Sequence, residues 1–251
     1  MSNPVIHYKN IFTAAQITAD QEAAGYPDDR LVDLRPYMRW KGTSSANQNI
    51  TFNIGFSKSA DAIGICGHNL GTAGATVLVQ YWTGAAWSSA SGPVLATNDK
   101  PILMLFTTQA GTQWRVALTG MTATPEIGVI MLGDLLTMEK PIHGTWDPDS
   151  QTTQAEGHLS KTGELLQATV RFHEYNLSAE FARLSKAWAD TNLIPFWENH
   201  GRQLKPFFFS RDPTSFPEDL RFVRVTDAPQ LTLPYDPIRR TWQLSMRGVL
   251  N

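Results

Sequence analysis

The stretch Ala62–Trp87, AIGICGHNLGTAGATVLVQYWTGAAW, decides the fold class of this 251-residue chain. An apolar run, Ala62–Cys66, stops at Gly67-His68-Asn69-Leu70, and a Gly/Ala/Thr loop follows. A β-branched and aromatic run, Ala75–Trp82, then ends at Thr83-Gly84. Short apolar runs of this composition, bounded by turn residues, read as strands rather than helices. The stretch therefore predicts strand, exposed turn, strand and hairpin.

Working outward, Ile50-Thr51-Phe52-Asn53-Ile54 alternates apolar and polar residues, the mark of a half-buried strand. Ile102–Phe106, Gln113–Leu118 and Ile127–Leu132 continue the series, separated by Ser91-Gly92-Pro93, Asn98-Asp99-Lys100-Pro101 and Thr124-Pro125. Short strands at regular spacing with turn signals between them predict an all-β sandwich. The pattern changes after Leu136, where Pro141, Gly144 and Asp147-Pro148-Asp149 mark a linker-like passage. Such passages suit domain boundaries, and the division falls at about 138, giving units 1–137 and 138–251.

The second unit starts with a strand pair, Ala155–Leu159 and Leu165–His173, across Lys161-Thr162-Gly163. A helix follows over about 177–190, capped by Asn176 or Ser178, with Leu177, Phe181, Leu184 and Trp188 on one face. A second short helix is expected over 192–200, stopped by Gly201. Pro206–Phe209, Arg221–Asp227 and Thr241–Gly248 complete the β pattern. The chain is thus expected to be mainly β: a sandwich, then a smaller sandwich or barrel with one flanking helix.

Bulk properties narrow the function. Net charge is −2, without the basic footprint of a nucleic-acid partner. No apolar run approaches the length of a membrane span, and the N-terminus lacks the pattern of a secretory signal. The single cysteine, Cys66, excludes an intramolecular disulfide, and a reducing cytosol is the expected folding compartment. A charged fraction of 18% beside eight tryptophans favours a surface that prefers to be covered.

Chemistry is sparse. Cys66 and His68 form a nucleophile and base only if they meet in space with a third group, and the apolar run before Cys66 favours simple packing. The six histidines show no metal-ligand spacing, and the carboxylates sit mostly beside Pro or Gly, where Asp serves turns. Gly71, Gly74 and Gly84 stand between strands, not before a helix, so no phosphate loop is present. The expectation is a protein that is not an enzyme and uses no cofactor or metal. Trp40, Trp82, Trp87 and Trp114 offer either a sugar-stacking platform or core, and burial is the commoner fate. Pro206-Phe207-Phe208-Phe209 requires cover on both faces of its strand, from the helix on one side and from either this chain or another subunit on the other.

These residues resemble a known family. Leu31-Val32-Asp33-Leu34, Trp40, the Ile50–Gly55 strand, Ile63–Leu70 and Ala75-Thr76-Val77 look like the galactose-binding-like (discoidin-type) jelly roll, and the GHNL turn followed by GATV is similar to forms found in virion proteins of tailed bacteriophages. Gly157 through the predicted helix, Phe207–Phe209, Phe222–Val225 and Trp242-Gln243-Leu244 resemble the β-sandwich-plus-helix modules of tail-tip, distal-tail and tube-like proteins. The resemblance implies a structural subunit of a phage tail, forming a ring near the tip that joins tube to hub and fibres. Its partners would be copies of itself, six favoured over three, with tube, hub and fibre proteins. It would be assembled in the host cytoplasm and reside in the virion. The competing reading is a carbohydrate-binding module for host-surface glycans. His68, Asn69, Trp82 and Trp87 would then touch a glycan or a partner, and Phe207, Phe208 and Phe209 are the candidate subunit interface.

Overall fold

The computed structural model describes residues 3–227, 230–232 and 239–249. Its first half runs β1 (Val5–His7), β2 (Ile17–Ala19), β3 (Trp40–Lys41), β4 (Gln48–Cys66), β5 (Thr76–Trp82), β6 (Trp87–Ser89), β7 (Val94–Leu95), β8 (Ile102–Thr119), β9 (Glu126–Ile127), β10 (Val129–Gly133) and β11 (Leu136–Thr137). The second half runs β12 (Gln151–Leu159), β13 (Leu165–Ser185), a helical run over 186–199, β14 (Phe207–Ser210), β15 (Arg221–Val225), β16 (Gln230–Thr232) and β17 (Arg239–Val249). The fold is mainly β, as the turn-punctuated pattern predicts: a jelly-roll sandwich, then a further antiparallel β structure with one helical run on its flank.

Two long strands build the sandwich. β4 and β8 pair from Gln48↔Leu118 to Ile65↔Ile102, but the register breaks between Asn53 and Lys58 and between Ala60 and Ala62. Extra residues at a bulge bend a strand, and strands bent this way turn the corner between the layers of a sandwich. Ile50, Phe52, Trp114 and Val116 from one end thereby share a core with Ile63, Ile65, Met104 and Ile130 from the other. β2 joins β4 through Ile17↔Phe52, β5 joins β8, and β10 runs along the Ala62–Cys66 end of β4. The alternation signal divides each long strand in two because the residues at the bend, such as 55–59, are exposed.

The second sheet has the order β11-β1-β14-β15-β17-β13-β12, with β16 on β17. β1 lies between β11 and β14, with Val5 paired to both Thr137 and Ser210. The expected division at 138 therefore needs correction, since the second sheet takes its second strand from the start of the chain. Three residues with partners 130 or more positions away leave no local signal of their pairing.

The expected helix over 177–190 is also corrected. Leu177, Ala179 and Phe181 are buried strand residues paired to Met246, Leu244 and Trp242, while Ser178 and Glu180 are exposed. A spacing of four satisfies both the helical period and the strand period of two, so Leu177 and Phe181 mark either face equally. The register shifts between Phe181 and Leu184, where Arg183 adopts a φ of 62°. The strand ends at Ser185, whose hydroxyl accepts the Trp188 N–H and caps the helix. Helical backbone then continues through a π segment, Ala189–Leu193, to Asn199, so the two expected helices are one run.

Alternation in β14 sends its three phenylalanines to opposite sides. Phe207 and Phe209 enter the core beneath the helical run with Phe196, Phe181 and Trp242. Phe208 enters a separate cluster with Cys66, Val129, Met131 and Leu220, between the second sheet and the sandwich. All three are fully buried within one chain, so they are not a subunit interface; the jelly roll supplies the second cover.

The seam between the sheets is tight. A Cβ on Gly64 would lie 2.4 Å from the Phe208 ring, so the ring rests on bare backbone. His7, also fully buried, stacks near Phe208 and bonds through Nε2 to the Met131 carbonyl at 3.0 Å. A carbonyl only accepts, so Nε2 carries the proton.

Candidate functional site

The turn after β4 is held by its own residues. Gly67 has φ +68°, and a Cβ there would meet the Pro36 carbonyl oxygen at 2.3 Å, so only glycine fits. His68 is 3% exposed, and its Nδ1 accepts the Leu70 N–H at 3.2 Å. Burial pulls its pKa down to about 4, leaving a neutral ring at physiological pH. Asn69 donates to the Thr124 carbonyl at 2.9 Å and accepts the Glu126 N–H at 2.7 Å. The turn expected to be an exposed contact surface is thus chiefly a brace between β4 and the loop before β9, with His68 and Asn69 also lining a cleft beside it. Cys66 is buried and its thiol is pushed up to about 12, so it supplies no thiolate nucleophile.

Trp82 and Trp87 behave differently. They face each other as cross-strand partners at the β5–β6 hairpin, with rings 5.5 Å apart in an edge arrangement, and both are half-buried. Arg115 lies over the Trp87 ring at 4.4 Å and donates through Nε to the Gln80 side chain at 2.7 Å. Trp40 and Trp114 are fully buried, so the four-tryptophan platform reduces to this pair. β5 separates the pair from the Gly67 turn by about 20 Å, at roughly 3.3 Å per residue. The four candidate contacts therefore do not form one site.

The surface that sequence reasoning missed is a β-arm. β12 and β13 pair from Gln151↔Tyr175 to Leu159↔Leu165, whereas β13 meets β17 only from Glu174 onward. The part over 151–173 thus projects beyond the sheet as a two-stranded ribbon. Cross-strand partners share a face. Ala155↔Val170 and Gly157↔Ala168 make one face apolar, while Glu156↔Thr169 and His158↔Gln167 make the other polar. An ion pair joins Arg171 to Glu156. Val170 is 53% exposed, and Leu166, at a register shift near the tip, is 69% exposed. The strand pair is legible in the sequence, but its lack of cover is not, because alternation looks the same whether or not a partner lies on the apolar face.

Among the described residues, no three His, Cys, Asp or Glu side chains gather where a metal ion could be held. No protein-family model matches the sequence, and no curated protein matches it. Solved structures do. SpGH29 is 18% identical with a TM-score of 0.43 over 50% of this chain and 28% of that one. A pectin-binding carbohydrate-binding module is 14% identical with a TM-score of 0.40 over 46% and 87%. Chitosan-binding module 2 of a Paenibacillus sp. IK-5 chitosanase/glucanase, in complex with chitotriose, is 16% identical with a TM-score of 0.43 over 49% and 99%.

Proposed function

We propose that this chain is an assembly subunit whose β12–β13 arm lies on a neighbouring copy. The observation that carries this is the uncovered apolar face of a projecting two-stranded ribbon. An isolated ribbon is marginal in water, and exposed apolar strand surface invites pairing unless a partner covers it. An arm from one copy seated on a different surface of the next is a heterologous contact, and repeated contacts of this kind close into a ring. At the finest level we assign that ring to the tip of a bacteriophage tail, linking tube to hub and fibres, with six copies as the favoured closure. The test is mass photometry and negative-stain electron microscopy of the purified chain. Rings that disappear in a Leu166→Glu/Val170→Glu double variant support the reading, as does the chain's presence in purified particles. A monomer at micromolar concentration, or rings indifferent to both substitutions, counts against it.

The Trp82–Trp87 pair supports a second reading, a glycan-binding surface, because half-exposed rings beside Arg115 and Gln80 suit the face and hydroxyls of a sugar. Trp87→Ala should then abolish signal on a glycan array. No signal from the native chain removes this reading.

A further inference from the structure

Between the sandwich and the second sheet lies a cleft of about 810 Å³ with basic walls. Arg35, Arg39 and Lys100 come from loops of the first half, and Arg221, Arg224 and Arg247 from β15 and β17. Two carboxylates, Asp99 and Glu174, share the lining, so six cations face two anions in a chain whose net charge is −2. Neighbouring carboxylates engage four of the cations: Arg35 with Asp33 at 2.9 Å, Arg39 with Glu126 at 3.1 Å, Arg221 with Asp149 at 3.0 Å, and Arg247 with Glu174 at 3.5 Å. Lys100 and Arg224 have no ion-pair partner among the described residues, and both are exposed.

One detail points to a ligand rather than to sheet stability. Arg224 and Arg247 are direct cross-strand partners, and like charges so placed destabilise a sheet. Arg221, by contrast, is the cross-strand partner of Phe209 and shares its helix-side face, with Nη2 on Asp149. Its Nη1 donates to the Glu218 and Leu220 carbonyls, and its guanidinium lies 4.6 Å from the Tyr175 ring centroid. Tyr37 and Phe172, 74% and 45% exposed, add flat apolar surface to the same lining.

We propose that this cleft binds a small acidic sugar. The sugar ring would stack on Tyr37 or Phe172, and its oxyanion would be gripped by Arg224 with help from Arg247 and Lys100. Guanidinium groups bind carboxylate and phosphate in the same forked geometry, so a uronate and a sugar phosphate share the required chemistry. The volume falls within the range of pockets that take ligands of this size. The cleft lies within one chain, and of the proposed contacts Phe172 also belongs to the arm of the assembly reading.

Isothermal titration of the full chain with digalacturonate, glucose 6-phosphate and neutral galactobiose tests it. Either acidic probe should bind while galactobiose does not, and the acid that binds identifies the preferred oxyanion. Arg224→Gln and Lys100→Gln, at exposed positions, should each weaken binding about tenfold without moving the thermal midpoint. No binding of either acid at about 10 mM overturns the proposal. So does an affinity unchanged in both variants, or equal affinity for the neutral sugar.

Discussion

At the scale of the residue, three buried histidines set the acid response of the fold. His7, His68 and His200 are each lowered to about 4, in every case chiefly by burial. Above pH 6.5 both folded and unfolded chains hold them neutral, and stability is indifferent to pH through these groups. Between pH 6.5 and 4 the unfolded chain takes up protons that the folded chain does not, so stability falls as pH falls. Each histidine contributes at most on the order of 1.4 kcal/mol per pH unit across that window. Urea unfolding at pH 7, 5.5 and 4.5 should show a steadily lower midpoint; a flat profile contradicts the burial argument. Gly64 is the second sensitive residue. Gly64→Ala drives a methyl into the Phe208 ring and should cost about 1–3 kcal/mol, the range for overpacked cores, as read by denaturant unfolding. The Ile63-Gly64-Ile65 run announces a buried strand, but nothing local announces an aromatic ring resting on its backbone.

At the scale of the element, β13 shows where periodicity loses its power. Leu177 and Phe181 fit two periods at once, and only the pairing with β17 selects the strand. The helix begins where Ser185 supplies a cap, and Trp188, placed correctly on a helix, lies in its first turn. The arm was legible as a hairpin from its alternation and its Lys161-Thr162-Gly163 turn. Its projection was not, because that depends on where β17 stops. Replacing residues 154–171 by a tight turn should leave the thermal midpoint within a few degrees, since the removed ribbon touches little else. The same truncation should abolish self-association in mass photometry. A large loss of stability would mean that the arm packs on its own chain instead.

At the scale of the whole molecule, the two sheets are coupled by few groups at one seam. Phe208 is fully buried between them, and Phe208→Ala should cost about 3–5 kcal/mol, as for large aromatic truncations in cores. Unfolding of the native chain should be a single transition by both tryptophan fluorescence and circular dichroism, and Phe208→Ala should split it. Deleting residues 1–8 removes a strand held between β11 and β14 and should destabilise the second sheet far more than the sandwich. Hydrogen exchange resolved by segment would show that asymmetry. The sequence by itself determined the β class, the turns, the positions of most of the longer strands and the packing role of Cys66. Each of those is written in local composition and period. Only the tertiary structure decided that β1 belongs to the second sheet, that residues 177–185 are strand, that His68 and the three phenylalanines are internal, and that the arm stands uncovered. Each of those depends on partners far along the chain, which a local pattern can require but cannot choose.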